Sequence, residues 1–311
     1  MKKISVVVPC FNEAESLDVF YEKISEVLES RSDFKYEIIF IDDGSSDSTP
    51  DILSIIECSA PSVKVLSLSR NFGHQIAVTA GLDHAVGDAV VLIDADLQDP
   101  PEVILEMLEK WEDGCQVAYG VRTERAGETR FKLFTAKVFY RLINKLSDVD
   151  IPLDTGDFRL MDRLVVDALK NMPEKDRFIR GMVAWVGLKQ EPVFYERDKR
   201  FAGSTNYPIT KMVNFALDAM LSFSIRPLQF ATLVGFLIAC GSIMGIFYSI
   251  IMRLFGDAWV PGWTLLFIAT LFLGGVQLMF LGLIGEYLGR VYGEVKRRPL
   301  YLLKNADKKD Y

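Results

Sequence analysis

The 311-residue sequence has few of the residues that build disulfide, zinc or nucleic-acid-binding proteins. Its four cysteines include no Cys-x-x-Cys pair, which argues against a zinc site or a disulfide framework and favours a reducing compartment. The formal net charge of -7 is opposite to the broad basic surface that nucleic-acid binding needs, so we expect no nucleic-acid partner. The only two histidines, His74 and His84, are expected to cap or pack helices rather than to shuttle protons.

The amino terminus lacks the long apolar segment of a secretory signal. Its basic start is followed by an apolar run of only a few residues, which ends at Pro9. We therefore expect the first domain to stay in the cytoplasm.

Residues 1–208 alternate short runs of Val, Ile and Leu with stretches of helical periodicity. This alternation predicts an α/β domain whose mostly parallel sheet is covered by helices on both faces. Such sheets bind ligands at the carboxyl ends of their strands. Four polar clusters follow the first four predicted strands, and they read PCFNE, DDGSSD, SRNFGH and DADLQD. Their shared position predicts a ligand site at that edge of the sheet.

The rest of the chain is much more apolar. Residues 228–252 and 263–285 contain no charged residue over 25 and 23 positions, long enough to cross a hydrocarbon core of about 30 Å. We predict a two-helix transmembrane hairpin over residues 227–292, with two buried helices of a soluble protein as the alternative. Because positive charge is concentrated outside this hairpin, both termini are expected on the cytoplasmic side of the cell membrane.

Two segments flank the predicted hairpin. Residues 209–226 place apolar side chains on one helical face, which suits an amphipathic helix in the membrane interface or one packed on the α/β domain. Residues 293–311 form a basic tail, expected as a juxtamembrane anchor, with a solvated terminus as the alternative. Glycines in the second apolar segment favour close helix packing and a possible homo-oligomer.

Asp94 and Asp96 follow the buried run VVLI, and their spacing can aim two carboxylates at one point. Carboxylate oxygens suit Mg²⁺ or Mn²⁺, which take their remaining ligands from water and substrate phosphates. A second acidic pair, Asp42 and Asp43, follows the earlier run IIFI. The sequence therefore predicts a divalent-metal site that works with a bound diphosphate.

Several basic residues are candidates to bind phosphate, because the arginine guanidinium matches a phosphate bidentately. They are Arg122, Arg130, Lys132 and Arg200. The segment 203–205, Gly-Ser-Thr, follows the last of these closely and offers a flexible loop with hydroxyl and backbone donors. Asp157, in LDTGDFRLMDR, is a further carboxylate that fits either a positioned base or electrostatic group or a helix N-cap.

With these motifs the chain resembles the polyprenyl-phosphate glycosyltransferases of glycosyltransferase family 2, which include dolichyl-phosphate mannose synthases and bactoprenol glucosyltransferases. The resemblance runs nearly end to end, through VVVPCFNE, IIFIDDGSSDST, VVLIDADLQDPPE, DTGDFRLMDR and KRFAGSTNYP. It implies a GT-A-type nucleotide-sugar-binding domain followed by two transmembrane helices. It also implies inverting, metal-dependent transfer of a sugar from a nucleotide sugar, foremost UDP-glucose, to undecaprenyl phosphate. The QxxRW motif of processive polysaccharide synthases is absent, so one sugar is expected per lipid.

The resemblance implies roles for individual residues. Those that would line the nucleotide pocket are Pro9, Glu13, Asp42 and Asp43. Those that would hold Mg²⁺ or Mn²⁺ on the donor diphosphate are Asp94, Asp96 and Gln98. Those that would bind the lipid phosphate or form a mobile loop over the site are Arg122, Arg130, Arg200 and Ser204. Catalysis is expected to depend on Asp96 and on Asp157, whose TGDF context departs from the family's usual acidic pair and leaves a base role and an orienting role both open.

The chemistry of a lipid phosphate fits this reading. Its second pKa is about 6, so it already carries a nucleophilic oxyanion at neutral pH and needs little help from a base. The harder task is to bring two anions together, which arginines and a metal ion can do. The alternatives are a GDP-mannose or UDP-4-deoxy-4-formamido-arabinose donor, or a non-catalytic nucleotide-sugar-binding scaffold in the membrane. The intact Asp94 and Asp96 pair favours an enzyme over the scaffold.

Overall fold

The computed structural model describes residues 1–123, 155–197, 226–255 and 263–304. The chain divides into two compact units. Within the described residues, the first unit holds 1–123, 155–197 and 298–304, and the second holds 226–255 and 263–297. The predicted interfacial helix over residues 209–226 lies outside the described residues, except for its last position.

The first unit begins with the predicted alternation of strands and helices. Its first four strands are β1 (Lys3–Cys10), β2 (Lys35–Asp42), β3 (Val63–Ser67) and β4 (Ala89–Leu92). The helices that follow them are α1 (Leu17–Glu29), α2 (Thr49–Ser59), α3 (His74–His84) and α4 (Val103–Glu112). The remaining elements are β5 (Val117–Arg122), β6 (Thr155–Asp162), α5 (Arg163–Lys170), α6 (Ile179–Val186) and β7 (Gln190–Tyr195).

The seven strands form one sheet in the order β3-β2-β1-β4-β6-β5-β7. β6 runs antiparallel to both of its neighbours, β4 and β5, and the other pairs are parallel. The predicted mostly parallel α/β sheet is confirmed, whereas the antiparallel β6 was not predicted. Two of the three charged residues in its sequence, TGDFRLMD, are buried, and these are Asp157 and Arg159. Charges inside a buried strand hide the apolar pattern from which strands are recognised.

The core lies on the central strands, which are apolar on both faces because helices cover the sheet. Val6, Val7 and Val8 of β1 are fully buried, as is the whole of β4. α3 lies close against β1 at Gly81, where a Cβ atom would clash with the Val7 side chain. Only glycine permits this close approach.

A short carboxyl-terminal segment pairs with the edge strand β3. The Ser69 N–H donates to the Leu302 carbonyl at 2.8 Å, and the Lys304 N–H donates to the Ser67 carbonyl at 2.8 Å. Leu68 and Leu303 form an antiparallel bridge between these two bonds. Part of the predicted basic tail thus pairs with the first unit at the end of β3, which its composition did not indicate.

The second unit contains two long helices, α7 (Arg226–Phe255) and α8 (Trp263–Val295), of 30 and 33 residues. They contain the two apolar segments predicted to span the membrane. Among the described residues, one segment, Phe272–Val295, has the length and composition of a membrane span. Large apolar side chains are exposed on both helices, among them Phe236 on α7 and Leu281 on α8.

Candidate active site

A cleft of about 250 Å³ opens at the carboxyl ends of the four parallel strands β3, β2, β1 and β4. All four polar clusters of the sequence contribute to it. The predicted site residues that line it are Pro9, Glu13, Asp43, Asp94 and Asp96. Three residues of the cluster after β3 also line it, and they are Asn71, Gly73 and His74. The structure thus brings five of the seven predicted nucleotide-binding and metal-binding residues together in one cavity.

The acidic pair after β2 is buried and holds two loops through backbone N–H groups. The Asp43 carboxylate accepts hydrogen bonds from Phe72 N at 2.7 Å and Gly73 N at 2.9 Å. Burial raises the pKa of Asp43, and these two donors act against the rise. Asp42 accepts from Ser45 N at 2.9 Å and, unlike Asp43, is not among the described residues that line the cleft. Asp43 thus holds the Phe72–Gly73 loop at the cleft, and Asp42 holds the loop that follows β2.

Asp94 and Asp96 lie in the loop after β4, with 31% and 11% of their side chains exposed. Between Asp96 and Gln98, Leu97 adopts a positive φ of 58°, which is strained for a residue with a side chain. This turn directs the Gln98 N–H back to the Asp96 carboxylate at 3.1 Å. Strain of this kind is concentrated where a loop must present particular groups to a ligand.

The electrostatics at Asp94 suit a bound cation. Burial raises the pKa of Asp94 to about 6; the neighbouring carboxylates of Asp157, Asp96 and Asp99 add to the rise, while His74 opposes it. A divalent cation would offset this accumulated negative charge. No three His, Cys, Asp or Glu side chains converge as a metal cage within the described ranges. Two carboxylates that rely on substrate phosphates for the remaining ligands are the arrangement that Mg²⁺ commonly uses.

Gln98, the third predicted metal ligand, contacts Asp96 through its backbone. Its side chain is not among the described groups that line the cleft. The two aspartates are therefore the part of the predicted ligand set that the structure presents to the cavity.

Asp157 lies level with Asp94 because β6 pairs with β4 in a register that sets Arg159 opposite Leu92. Its carboxylate is 7% exposed and accepts from three side chains. Arg180 Nε donates at 2.7 Å, His74 Nε2 lies at 3.0 Å and Gln75 Nε2 donates at 3.3 Å. Burial alone would raise the pKa of Asp157, but the positive charge of Arg180 and the hydrogen bonds from His74 and Arg180 hold it well below its usual range.

His74 and Arg180 are functional candidates that the sequence did not favour. His74 is the first residue of α3 and lies between two carboxylates, 3.0 Å from Asp157 and 3.8 Å from Asp94. Burial lowers its pKa, but the Asp157 hydrogen bond and the charge of Asp94 outweigh burial and raise it to about 9. Arg180 comes from α6, and the sequence analysis gave it no role. His84, by contrast, bonds the Ala80 carbonyl at 2.9 Å within its own helix, in line with a packing role.

Asp99, at the end of the loop after β4, is a further buried carboxylate, with 1% of its side chain exposed. The Tyr195 hydroxyl donates to Asp99 Oδ1 at 2.6 Å. Arg122 Nη2 and Arg197 Nε lie 3.7 Å and 3.3 Å from the same oxygen. Arg122 passes close to Gly156, where a Cβ atom would come within 2.8 Å of its Nη2. The structure thus places the predicted phosphate ligand Arg122 beside a buried acid rather than at the cleft wall.

Four predicted site residues lie outside the described residues, and they are Arg130, Lys132, Arg200 and Ser204. Arg197 is described and lies three positions before Arg200, yet the sequence did not single it out. Arg197 becomes a candidate only in the folded structure, because it lies near Asp96 and Asp99, which are about a hundred positions earlier in the sequence.

The comparisons with known proteins agree with this geometry. Residues 5–170 match the family described as glycosyl transferase family 2. The chain is 48% identical over 302 residues to the uncharacterized glycosyltransferase YkcC of Bacillus subtilis, covering 97% of this chain and 93% of that protein. It is 45% identical over 308 residues to the bactoprenol glucosyl transferase of Shigella phage SfV, covering 99% and 100%.

A prophage bactoprenol glucosyl transferase homolog of Escherichia coli K12 is also 45% identical, over 307 residues that cover 98% of this chain and 100% of that protein. Among solved structures, a glucosyl-3-phosphoglycerate synthase from Mycobacterium tuberculosis is 22% identical with a TM-score of 0.47, covering 71% and 78% of the two chains. A likeness at that level says nothing about the ligands of this chain. The family match and the full-length relatives show that the chain belongs to glycosyl transferase family 2 and is a glycosyltransferase with a GT-A fold.

Proposed function

We propose that this glycosyltransferase transfers one glucose from UDP-glucose to undecaprenyl phosphate at the cytoplasmic face of the cell membrane, with inversion at the anomeric carbon. The observation that carries the proposal is the cleft in which Asp94 and Asp96 meet Pro9, Glu13 and Asp43. The relatives support the acceptor and the sugar, because those named bactoprenol glucosyl transferase align with this chain over nearly its whole length.

In this proposal Asp94 and Asp96 hold a Mg²⁺ or Mn²⁺ ion together with the donor diphosphate. A divalent ion supplies charge stabilisation for the departing nucleoside diphosphate. Pro9, Glu13 and Asp43 would line the part of the cleft that binds the nucleotide. Asp42 would hold the loop that follows β2 through its hydrogen bond with Ser45 N. Gln98 supports the Asp96 carboxylate through its backbone N–H.

Asp157 fits an orienting role better than that of a general base. Its two oxygens are engaged by Arg180, His74 and Gln75, so removing a proton from a substrate would disrupt those contacts. A lipid phosphate is already anionic at neutral pH and does not need a strong base. Asp157 would hold His74 at the cleft wall, where the imidazole meets Asp94.

Arg122 remains the described candidate for the acceptor phosphate, and Arg130, Lys132, Arg200 and Ser204 remain candidates from the family resemblance alone. The domain division follows the same proposal, with a catalytic domain over 1–208, an interfacial helix over 209–226, a membrane hairpin over 227–292 and a cytoplasmic tail over 293–311. The exposed apolar side chains of α7 and α8 support burial in lipid or in a homo-oligomer.

A donor panel tests the proposal. Membranes that contain the full chain are incubated with undecaprenyl phosphate, Mg²⁺ and labelled UDP-glucose, GDP-mannose or UDP-4-deoxy-4-formamido-arabinose. We expect label on the polyprenyl phosphate from UDP-glucose, at a rate that EDTA abolishes. Transfer from one of the other donors would replace the proposed sugar, and transfer from none of them would contradict the reaction itself.

A further inference from the structure

One side of the cleft is supported by residues from the far end of the chain. Asn71, Gly73 and His74 line the cleft, and they come from the β3–α3 loop and the start of α3. Residues 298–304, which we call the strap, follow α8 in the chain and belong to the first unit. The strap contacts the chain both before the β3–α3 loop and after it, at the end of α3. The three cleft residues therefore lie between two points of contact with the strap.

The first contact is a short antiparallel pairing at the entry to the loop. The strap pairs with residues 67–69 through two backbone hydrogen bonds of 2.8 Å, one of them from the Ser69 N–H to the Leu302 carbonyl. On the opposite side of this segment, the Leu68 N–H donates to the Asp42 carbonyl at 2.9 Å. The chain that enters the loop is thus held by β2 on one side and by the strap on the other.

The second contact is at the carboxyl end of α3. The Tyr301 hydroxyl donates to the Asp83 carboxylate at 3.1 Å, and the centroid of its ring lies 6.3 Å from that of His84. Asp83 and His84 are the last two residues of α3, and His74 is its first. The strap therefore contacts the helix that carries His74 as well as the segment that leads into the loop.

The loop itself has little apolar burial to hold it in place. Ser69, Arg70 and Asn71 are exposed. Towards the cleft, the Asp43 carboxylate accepts from two backbone N–H groups of the loop, and a Cβ atom at Gly44 would come within 2.6 Å of Asn71 N. Segments with exposed backbone hydrogen bonds and few buried apolar groups open at a low free-energy cost. A support at the entry of such a loop can therefore determine how fully its cleft-lining conformation is populated.

We propose that the strap is a positioning element of the active site, which holds the β3–α3 loop in its cleft-lining conformation and thereby sets the affinity for a nucleoside diphosphate. Leu302 and Lys304 act through the backbone at the entry of the loop, and Tyr301 acts through α3. Among the described residues that line the cleft, none belongs to the strap. The catalytic unit is then discontinuous in sequence, because residues 1–208 alone would lack this support. The inference rests on the proposed function in taking this cleft as the nucleotide site.

Hydrogen–deuterium exchange of the full chain in detergent micelles tests the positioning role without a nucleotide. Lys304→Pro removes the N–H that donates to the Ser67 carbonyl, and Lys304→Ala keeps it as the matched control. We expect the amides of Phe72 and Gly73 to exchange about threefold to tenfold faster in Lys304→Pro than in Lys304→Ala, the size of one lost hydrogen bond. Equal exchange of this loop in the two variants overturns the inference.

A second control separates local loosening from a general loss of stability. Trp111→Phe removes the hydrogen bond from Trp111 Nε1 to the Asp162 carboxylate, which lies outside the cleft and outside the strap. It should lower the melting temperature and leave the exchange of the β3–α3 loop as in the wild-type protein. Loop exchange that rises equally in Trp111→Phe and Lys304→Pro would mean that the strap has a merely structural role, and it would overturn the positioning claim.

Nucleotide affinity is measured on the same variants by titration with UDP or GDP in the presence of Mn²⁺. We expect Lys304→Pro to bind UDP about threefold to tenfold more weakly than Lys304→Ala. Tyr301→Phe should show a smaller loss in the same direction, because its hydrogen bond to Asp83 is exposed. In sugar transfer, the KM for the donor should rise more than kcat falls, since the strap does not line the cleft.

Faster loop exchange with unchanged UDP affinity in Lys304→Pro would refute the claim that the strap sets nucleotide affinity. A wild-type protein that binds GDP instead of UDP refutes only the proposed donor, and the comparison of variants is then made with GDP. A wild-type protein that binds neither nucleotide refutes the proposed function and the claim on affinity, whereas loop exchange still decides the positioning role.

Discussion

Two pairs of aspartates lie around the same cleft, and they differ in what surrounds them. Asp94 and Asp96 face the cavity with 31% and 11% of their side chains exposed. Asp99 and Asp157 are 1% and 7% exposed, and each meets two arginines or an arginine and a histidine. His74 and Arg197 lie 3.8 Å and 3.9 Å from the first pair, whereas Arg180 and Arg197 lie 2.7 Å from Asp157 and 3.3 Å from Asp99. We therefore interpret the first pair as able to accept a ligand cation and the second pair as neutralised by cations of the protein. All four aspartates lie near polar motifs, so the motif alone does not show which of them can bind a metal ion. The side chains that each carboxylate contacts do distinguish a candidate metal ligand from a carboxylate that holds other side chains in place.

Replacing a carboxylate that faces the cleft is the strongest test of the difference between the two pairs. Asp96→Asn should lower kcat for sugar transfer on the order of a hundredfold or more, because charge stabilisation of the leaving diphosphate is lost. Thermal unfolding should change little, and Asp51→Asn on the exposed face of α2 serves as the matched control. Full turnover by Asp96→Asn would show that the metal role is wrong.

Replacing a carboxylate that is paired with cations of the protein should affect stability more than activity. Asp157→Asn leaves Arg180 and His74 without their buried counter-charge, which we expect to cost about 3 kcal/mol of unfolding free energy. Activity should fall less than in Asp96→Asn, and the melting temperature should fall more. Both are measured on the purified full chain. Complete loss of kcat with an unchanged melting temperature would instead indicate that Asp157 is the general base.

The chain just before the Asn71–Gly73 loop is held by backbone pairing with the carboxyl-terminal segment, whereas the Asp43 carboxylate holds the loop itself. The two kinds of support can be compared by removing one backbone hydrogen bond. Lys304→Pro removes the N–H that donates to the Ser67 carbonyl, and we expect it to lower the unfolding free energy by about 1 kcal/mol or more. Lys304→Ala keeps this N–H and is the matched control. Equal melting temperatures for the two variants would show that the pairing contributes nothing.

Glu37 is a carboxylate outside the cleft that accepts hydrogen bonds from other parts of the chain. It tests whether such pairing alone makes the free energy of unfolding depend on pH. Burial raises its pKa, but the hydrogen bonds from Lys3, Ser5 and Val86 outweigh burial and lower it. A lowered folded-state pKa means that its stabilisation is complete above the unfolded value, about 4.3, and is lost as pH falls through the folded value.

The test compares the unfolding free energies of the wild-type protein and Glu37→Gln between pH 7 and pH 3. The difference should be on the order of 1 kcal/mol at neutral pH and should shrink as pH falls below about 4.3. A difference that grows with acidity would contradict the sign of the shift.

The sequence predicted the elements whose pattern is local. Continuous apolar runs indicated β1, β2, β3 and β4, and the rule that ligands bind at strand carboxyl ends indicated that the four polar clusters would meet. β6 was missed because its buried Asp157 and Arg159 disrupt the apolar pattern. Arg180 of the distant α6 compensates the charge of Asp157. The Arg159 guanidinium donates instead to the Gly156 and Asp157 carbonyls.

The supports of the site were beyond sequence reasoning for the same reason. Tyr195 and Arg197 meet Asp99 only because β7 pairs with β5, a register that no short motif encodes. His74 was expected to cap or pack a helix, and its position between Asp94 and Asp157 depends on where α3 begins relative to the loop after β4 and to β6. Local patterns predicted which residues reach the cleft edge, and the sheet order determined which of them pair.

Electron paramagnetic resonance of Mn²⁺ titrated with UDP into the full chain tests the difference between the two aspartate pairs most directly. We predict a bound Mn²⁺ signal that depends on UDP in the wild-type protein and in Asp99→Asn, and its loss in Asp96→Asn. An unchanged signal in Asp96→Asn, or a signal lost in a folded Asp99→Asn variant while Asp96→Asn retains it, would contradict the assignment of the cleft pair to the metal.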